Sequence, residues 1–148
     1  MRIDKLTISS PDITDLGDIP ERFSADGGND APRLEVTGVP EGTRELVVIA
    51  HDPDAPLPDG FTHWVLYGLP PVDQAVDTAA AATSGPNGAG KTGWYGPQPP
   101  AGHGRHHYYF WVYALDREVT GTPSREEFLR DYADAVIEQN RFVGHFQR

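Results

Sequence analysis

With 16 glycines and 14 prolines among 148 residues, about one position in five resists the interior of a regular helix or strand. That density excludes a helical bundle and favours short strands joined by many shaped turns. The length suits one domain, spanning 1–148, with one core and no need for covalent staples. Only 38% of the residues are apolar, but 3 Trp, 6 Tyr and 6 Phe supply large units for burial.

Function classes fall away quickly. There is no cysteine, which removes disulfides, zinc thiolate sites, iron–sulfur clusters and thiol catalysis. The formal charge of −10, with no lysine or arginine run to interrupt it, repels phosphate backbones and anionic membrane surfaces. The opening Met1-Arg2-Ile3-Asp4-Lys5-Leu6 lacks an apolar signal core, and no run of eighteen apolar residues occurs. The expectation is a soluble, cytoplasmic protein that neither spans a membrane nor binds nucleic acid.

Apolar patterning predicts an opening strand near 3–9, turns over 10–33 with Phe23 as an anchor, and a short strand at 34–37. The segment Glu45-Leu46-Val47-Val48-Ile49-Ala50-His51 is apolar on both faces, as in the middle of a covered sheet. Pro53 and Pro56 end it and leave Asp52 at its terminus. Asp59-Gly60 opens a second strand over 61–67, and residues 70–104 form a long, corner-rich connection that includes an alanine run at 79–82. The third strong strand runs from 106 to 115. Ser124 and Glu127 form a capping box ahead of Phe128, Tyr132, Ala135, Val136 and Gln139, which predicts a helix ending at Asn140. Phe142 and Phe146 then suit a short closing strand. The result is mostly antiparallel β with one late helix.

Three stretches interrupt these strands with chemistry-bearing groups: His51-Asp52-Pro53-Asp54-Ala55-Pro56, Thr62-His63-Trp64, and His103-Gly104-Arg105-His106-His107-Tyr108. Strand alternation puts His106 and Tyr108 on one face and His107 on the other. It puts His63 with Phe61 and Val65, opposite Trp64, and Asp52 in phase with Leu46, Val48 and Ala50. If the three strands are neighbours, Asp52, His63, His106 and Tyr108 meet at one rim of a sheet. Two imidazole N–H donors, a phenol and glycine N–H groups suit a small phosphate-like anion, with the aspartate orienting a histidine. One imidazolium in contact with such an anion contributes about 4 kcal/mol at an effective dielectric of 20, enough to offset a distant, screened surface charge. Taken singly, each stretch also has a plain structural reading. The aspartate-proline segment suits a stiff turn, His63 and His106 suit hydrogen-bonded core histidines, and His103, His107 and His145 suit solvated or local positions. Imidazole and carboxylate at His51, Asp52, His63 and His106 also leave open a metal-assisted hydrolase, though the spacing matches no compact ligand pattern. Serine chemistry has no Gly-x-Ser-x-Gly elbow to support it.

The ordered set resembles the phosphatidylethanolamine-binding protein family, in its short bacterial and archaeal branch, related to the Raf kinase inhibitor proteins. The likeness rests on Asp52-Pro53-Asp54-Ala55-Pro56, then His63-Trp64-Val65-Leu66-Tyr67, then Gly96-Pro97-Gln98-Pro99-Pro100, then His106-His107-Tyr108-Tyr109-Phe110, and it extends from about residue 9 to the C-terminus. It implies a mostly β fold with a central antiparallel sheet, a second smaller sheet and a C-terminal helix. By position in the pattern, Asp52, Asp54, His63, Gly96, Pro97, His106 and Tyr108 would line or shape an anion pocket. They would serve as recognition groups, with no cofactor, no metal and no catalytic cycle. Members bind phosphate-bearing head groups or phosphorylated side chains, and some act by occluding kinases or other protein partners. Relatives in this branch often form homodimers, although no long apolar edge in this sequence calls for one. The chain departs from the usual pattern at Tyr95, where a small residue is common, at Gln98, where cysteine is common, and at His107, where arginine is common.

Overall fold

The computed structural model describes residues 5–76 and 83–148. Ile3 of the expected first strand and the alanine run at 79–82 lie outside the described residues. A six-stranded sheet forms the centre, in the order β2 (Gly17–Asp18), β9 (Val136–Phe146), β8 (His106–Leu115), β4 (Glu45–Asp52), β5 (Phe61–Leu69) and β7 (Thr83–Ser84). Its neighbours are antiparallel except at the β2–β9 edge. A second, three-stranded antiparallel sheet contains β1 (Thr7–Ser9), β3 (Glu35–Thr37) and β6 (Gln74–Ala75).

Both faces of the large sheet are covered, which explains the unbroken apolar run of β4. Leu46, Val48 and Ala50 join Trp64, Leu66, Phe110 and Val112 in the main core, which also takes Ile8 and Val36 from the small sheet. Val47 and Ile49, on the other face, pack with Val65, Tyr67, Tyr113 and Leu115 under Phe128 of the helix α1 (Arg125–Asp131). The expected elements at 45–51, 61–67 and 106–115 are present, the first two extended to Asp52 and Leu69. The connection over 70–104 carries the short strands β6 and β7.

The helix is shorter than the sequence pattern predicts. The capping box is present, with Ser124 Oγ accepting from Glu127 N and Glu127 Oε1 accepting from Ser124 N. α1 nevertheless ends at Asp131, and a 3-10 turn at Ala133–Ala135 leads into β9. Val136 and Gln139, which continue the helical spacing, pair instead with Leu115 and Tyr113 of β8. A long ladder with β8 outweighs a propensity that β-branched Val136 and Ile137 already weaken. The expected short closing strand is therefore 11 residues long.

Candidate functional site

The site begins with two irregularities of β5. Ala50 of β4 faces Trp64 and His51 faces Thr62, so His63 is an extra residue on β5, a β-bulge. In a regular strand successive carbonyls point to opposite sides. Here the Thr62 and His63 carbonyls both accept from the loop over 85–95, from Gly88 N at 2.7 Å and Tyr95 N at 2.9 Å. The bulge resets the alternation. His63 shares its side with Trp64, and Val65 turns to the other layer. This corrects the expectation from strand parity, which grouped His63 with Val65. A second shift, where Gly68 adopts φ 72°, moves Leu69 back into the main core.

Asp52 ends β4 in a local turn, its Oδ1 accepting from Asp54 N at 2.7 Å across Pro53. Its Oδ2 accepts from His106 Nδ1, at the first residue of β8, at 2.7 Å. Both side chains are buried, with Asp52 2% and His106 3% exposed. Burial pushes the Asp52 carboxyl up, while the His106 imidazole and the Asp54 N–H work against that rise. Tyr108 follows on the same face, its ring edge-on to His63 with centroids 5.0 Å apart. Burial and the Asp52 carboxylate push its hydroxyl up, so it stays a neutral O–H. Among the described residues nothing hydrogen-bonds to that hydroxyl.

Asp52, His63, His106 and Tyr108 line one cavity of about 290 Å3. Its walls are largely apolar, from Pro56, Leu57, Phe61, Pro99 and Pro100. The three strand stretches thus meet at the rim that the sequence suggested. The other three expected residues stand outside the lining. Asp54 is exposed, and its Oδ2 accepts from His107 N at 2.7 Å and His107 Nδ1 at 2.9 Å on the opposite face of β8. Gly96 and Pro97 are buried behind the wall. Gly96 N donates to Asn29 Oδ1 at 2.6 Å, and the Pro97 carbonyl accepts from Ala25 N at 3.0 Å. A Cβ at Gly96 would lie 2.1 Å from the Phe23 carbonyl oxygen, so a glycine is required for that approach.

The structure also changes what the two histidines offer. His63 Nδ1 meets the Tyr95 carbonyl oxygen, which can only accept, so the Nδ1 proton is committed there. Burial lowers the His63 pKa to about 4, leaving the ring neutral near pH 7. The expected pair of free imidazole N–H donors is therefore absent, because His106 Nδ1 is held by Asp52 and its other nitrogen also has a partner. His106 Nε2 lies 2.7 Å from Nδ1 of His103. His103 is exposed and this contact is local, as the sequence suggested, and it brings His103 beside the buried pair. The His-x-x-His spacing was the available signal, and Gly104 at φ 90° provides the reversal. His51 points away, with Nδ1 3.0 Å from Thr62 Oγ1. Among the described residues no cluster of three or more His, Cys, Asp or Glu side chains is arranged to hold a metal ion.

Tyr95 and Gln98, two of the departures from the family pattern, form one wall of the cavity. Tyr95 Oη donates to Gln98 Oε1 at 2.7 Å, and Gln98 Nε2 donates to Asp26 Oδ1 at 2.9 Å. This chain fastens the wall to the loop after the 3-10 turn at Glu21–Phe23.

Comparison with known proteins bears on the same residues. A UPF0098 protein of Pyrococcus horikoshii is 37% identical over 141 residues, covering 88% of this chain and 71% of that protein. LppC of Mycobacterium tuberculosis is 37% identical over 147 residues, covering 96% of this chain and 72% of its own length. Among solved structures, a phosphatidylethanolamine-binding protein homologue from Chlamydia trachomatis superposes with a TM-score of 0.88 at 30% identity, covering 99% of both chains. Escherichia coli YbcL gives 0.88 at 27% identity, covering 97% of this chain and 98% of its own. No helix among the described residues is long and apolar enough to cross a membrane. The sequence pattern defining one family matches residues 9–147, nearly the whole chain, and the protein belongs to the phosphatidylethanolamine-binding protein family.

Proposed function

We propose that the chain is a binding protein for a small phosphate-bearing ligand, held in the cavity between β4, β5 and β8. The observation that carries this reading is the buried Asp52–His106 pair at the cavity wall, 2.7 Å apart, beside a Tyr108 hydroxyl that no described residue uses. Asp52 accepts from His106 Nδ1 and so fixes the orientation of the ring in the cavity wall. A phosphoryl oxygen arriving beside this pair receives a hydrogen bond from the neutral Tyr108 O–H. The apolar walls suit the carbon substituent of a head group or of a phosphorylated side chain, so a protein partner such as a kinase would be engaged through its phosphorylated residue.

Thermal unfolding with inorganic phosphate and with phosphoethanolamine tests the reading. Stabilisation should follow occupancy, reaching about 2.7 kcal/mol at a hundredfold excess over Kd. His106→Ala should remove most of it, and Asp52→Asn should weaken it. If neither compound shifts the Tm of the parent protein at concentrations of about 10 mM, the reading fails.

A further inference from the structure

Two polar side chains of the cavity run opposite to an anion site: Asp52, whose carboxylate oxygens accept from Asp54 and His106, and His63. The His63 Nδ1 proton is committed to the Tyr95 carbonyl, and that contact is reinforced by the reverse bond from Tyr95 N to the His63 carbonyl. In a neutral imidazole with the proton on Nδ1, the other nitrogen carries a lone pair and only accepts. Nε2 is buried, in a residue 4% exposed, and has no hydrogen-bond partner. The ring packs against Phe61, Trp94 and Tyr108 and lines the cavity, where a bound ligand can supply Nε2 with the partner it lacks. A buried polar atom without a partner is costly, and a ligand that supplies one recovers that cost on binding.

We infer that the ligand must itself donate a hydrogen bond to His63 Nε2, so the cavity selects tetrahedral anions that carry a proton, P–OH species such as phosphate and phosphomonoester monoanions, over anions that carry none. The inference rests on the phosphate reading above and narrows it. Tyr108 faces the ligand as a donor and His63 as an acceptor, a pair that a protonated phosphate satisfies on both sides. Sulfate has the same size and shape but sets an oxygen lone pair against the Nε2 lone pair. A phosphodiester has the same charge as dihydrogen phosphate and lacks the O–H. The low basicity that burial gives His63 keeps the ring from taking up a proton and becoming a donor.

Calorimetric titration at about pH 6, where phosphoryl groups keep a proton, with inorganic phosphate, sulfate and dimethyl phosphate tests this. Sulfate controls for size and dimethyl phosphate for charge. Phosphate should bind about tenfold or more tightly than either. In His63→Gln, whose amide can turn its N–H to the cavity, the preference over sulfate should shrink to about threefold or less. Imidazole 15N spectra of the parent should show His63 Nε2 unprotonated. Equal binding of sulfate and phosphate by the parent, an undiminished preference in His63→Gln, or a protonated Nε2 would each overturn the acceptor role while leaving the anion site standing. Failure of all three anions to bind would remove the site reading itself.

Discussion

Acidification should unfold this protein through two histidines that the fold keeps neutral. Burial lowers both His51 and His63 from 6.5 to about 4, with Arg125 adding to the effect on His51. Their folded-state values lie below their unfolded ones. Between those values the unfolded chain binds the extra protons, so stability is present above 6.5 and is lost as pH falls towards 4. At pH 5 each unfolded imidazole is almost fully protonated and each folded one is almost fully neutral. The cost is about 2 kcal/mol per histidine and about 4 kcal/mol for the two. With a urea slope of about 2 kcal/mol/M, the midpoint should drop by about 2 M between pH 7.5 and pH 5. Asp52 and Glu45, whose carboxyls burial pushes up, act with the opposite sign, because their folded forms hold protons that the unfolded chain releases. The comparison that isolates the histidines is therefore the parent against His51→Gln/His63→Gln, in which the carboxyl contributions are shared. Urea denaturation at both pH values, followed by tryptophan fluorescence, should show the parent losing about 4 kcal/mol more than the double variant. Equal losses in the two proteins would refute the reasoning, because they would mean the folded histidines take up protons as freely as the unfolded ones.

Two substitutions separate binding from folding. Tyr108→Phe removes a hydroxyl that no described residue uses, so its stability in urea should stay within about 0.5 kcal/mol of the parent. Calorimetry should show its phosphate affinity falling about tenfold to a hundredfold, the loss of one hydrogen bond to a charged group. Phe128→Ala should do the reverse. Phe128 is fully buried between Tyr67, Tyr113 and Tyr132, and truncating it should cost about 3–5 kcal/mol in chemical denaturation, with phosphate affinity unchanged at temperatures where the variant is folded.

The sequence made the sheet legible where burial alone decides the pattern, and obscured it where pairing partners decide. Residues 45–51 and 106–115 read correctly because an apolar run covered on both faces has few alternatives. Val136 to Gln139 misread as helix because their spacing fits α1's stripe, and only the presence of β8 alongside makes a strand the better state. The site was legible in the same divided way. Asp52, His106 and Tyr108 fall on one face by simple alternation, and the structure keeps them there. His63 reaches them through an inserted residue, which period-two reasoning cannot anticipate. The same bulge does more than turn the side chain. By aiming two successive carbonyls at one loop it fastens Tyr95 to His63 in both directions, and one of those bonds fixes which ring nitrogen holds the proton. A backbone irregularity of one residue thereby sets both the position of the imidazole and the polarity it presents, and the bond between His63 and the Tyr95 carbonyl is where the fold and the chemistry of the cavity become the same fact.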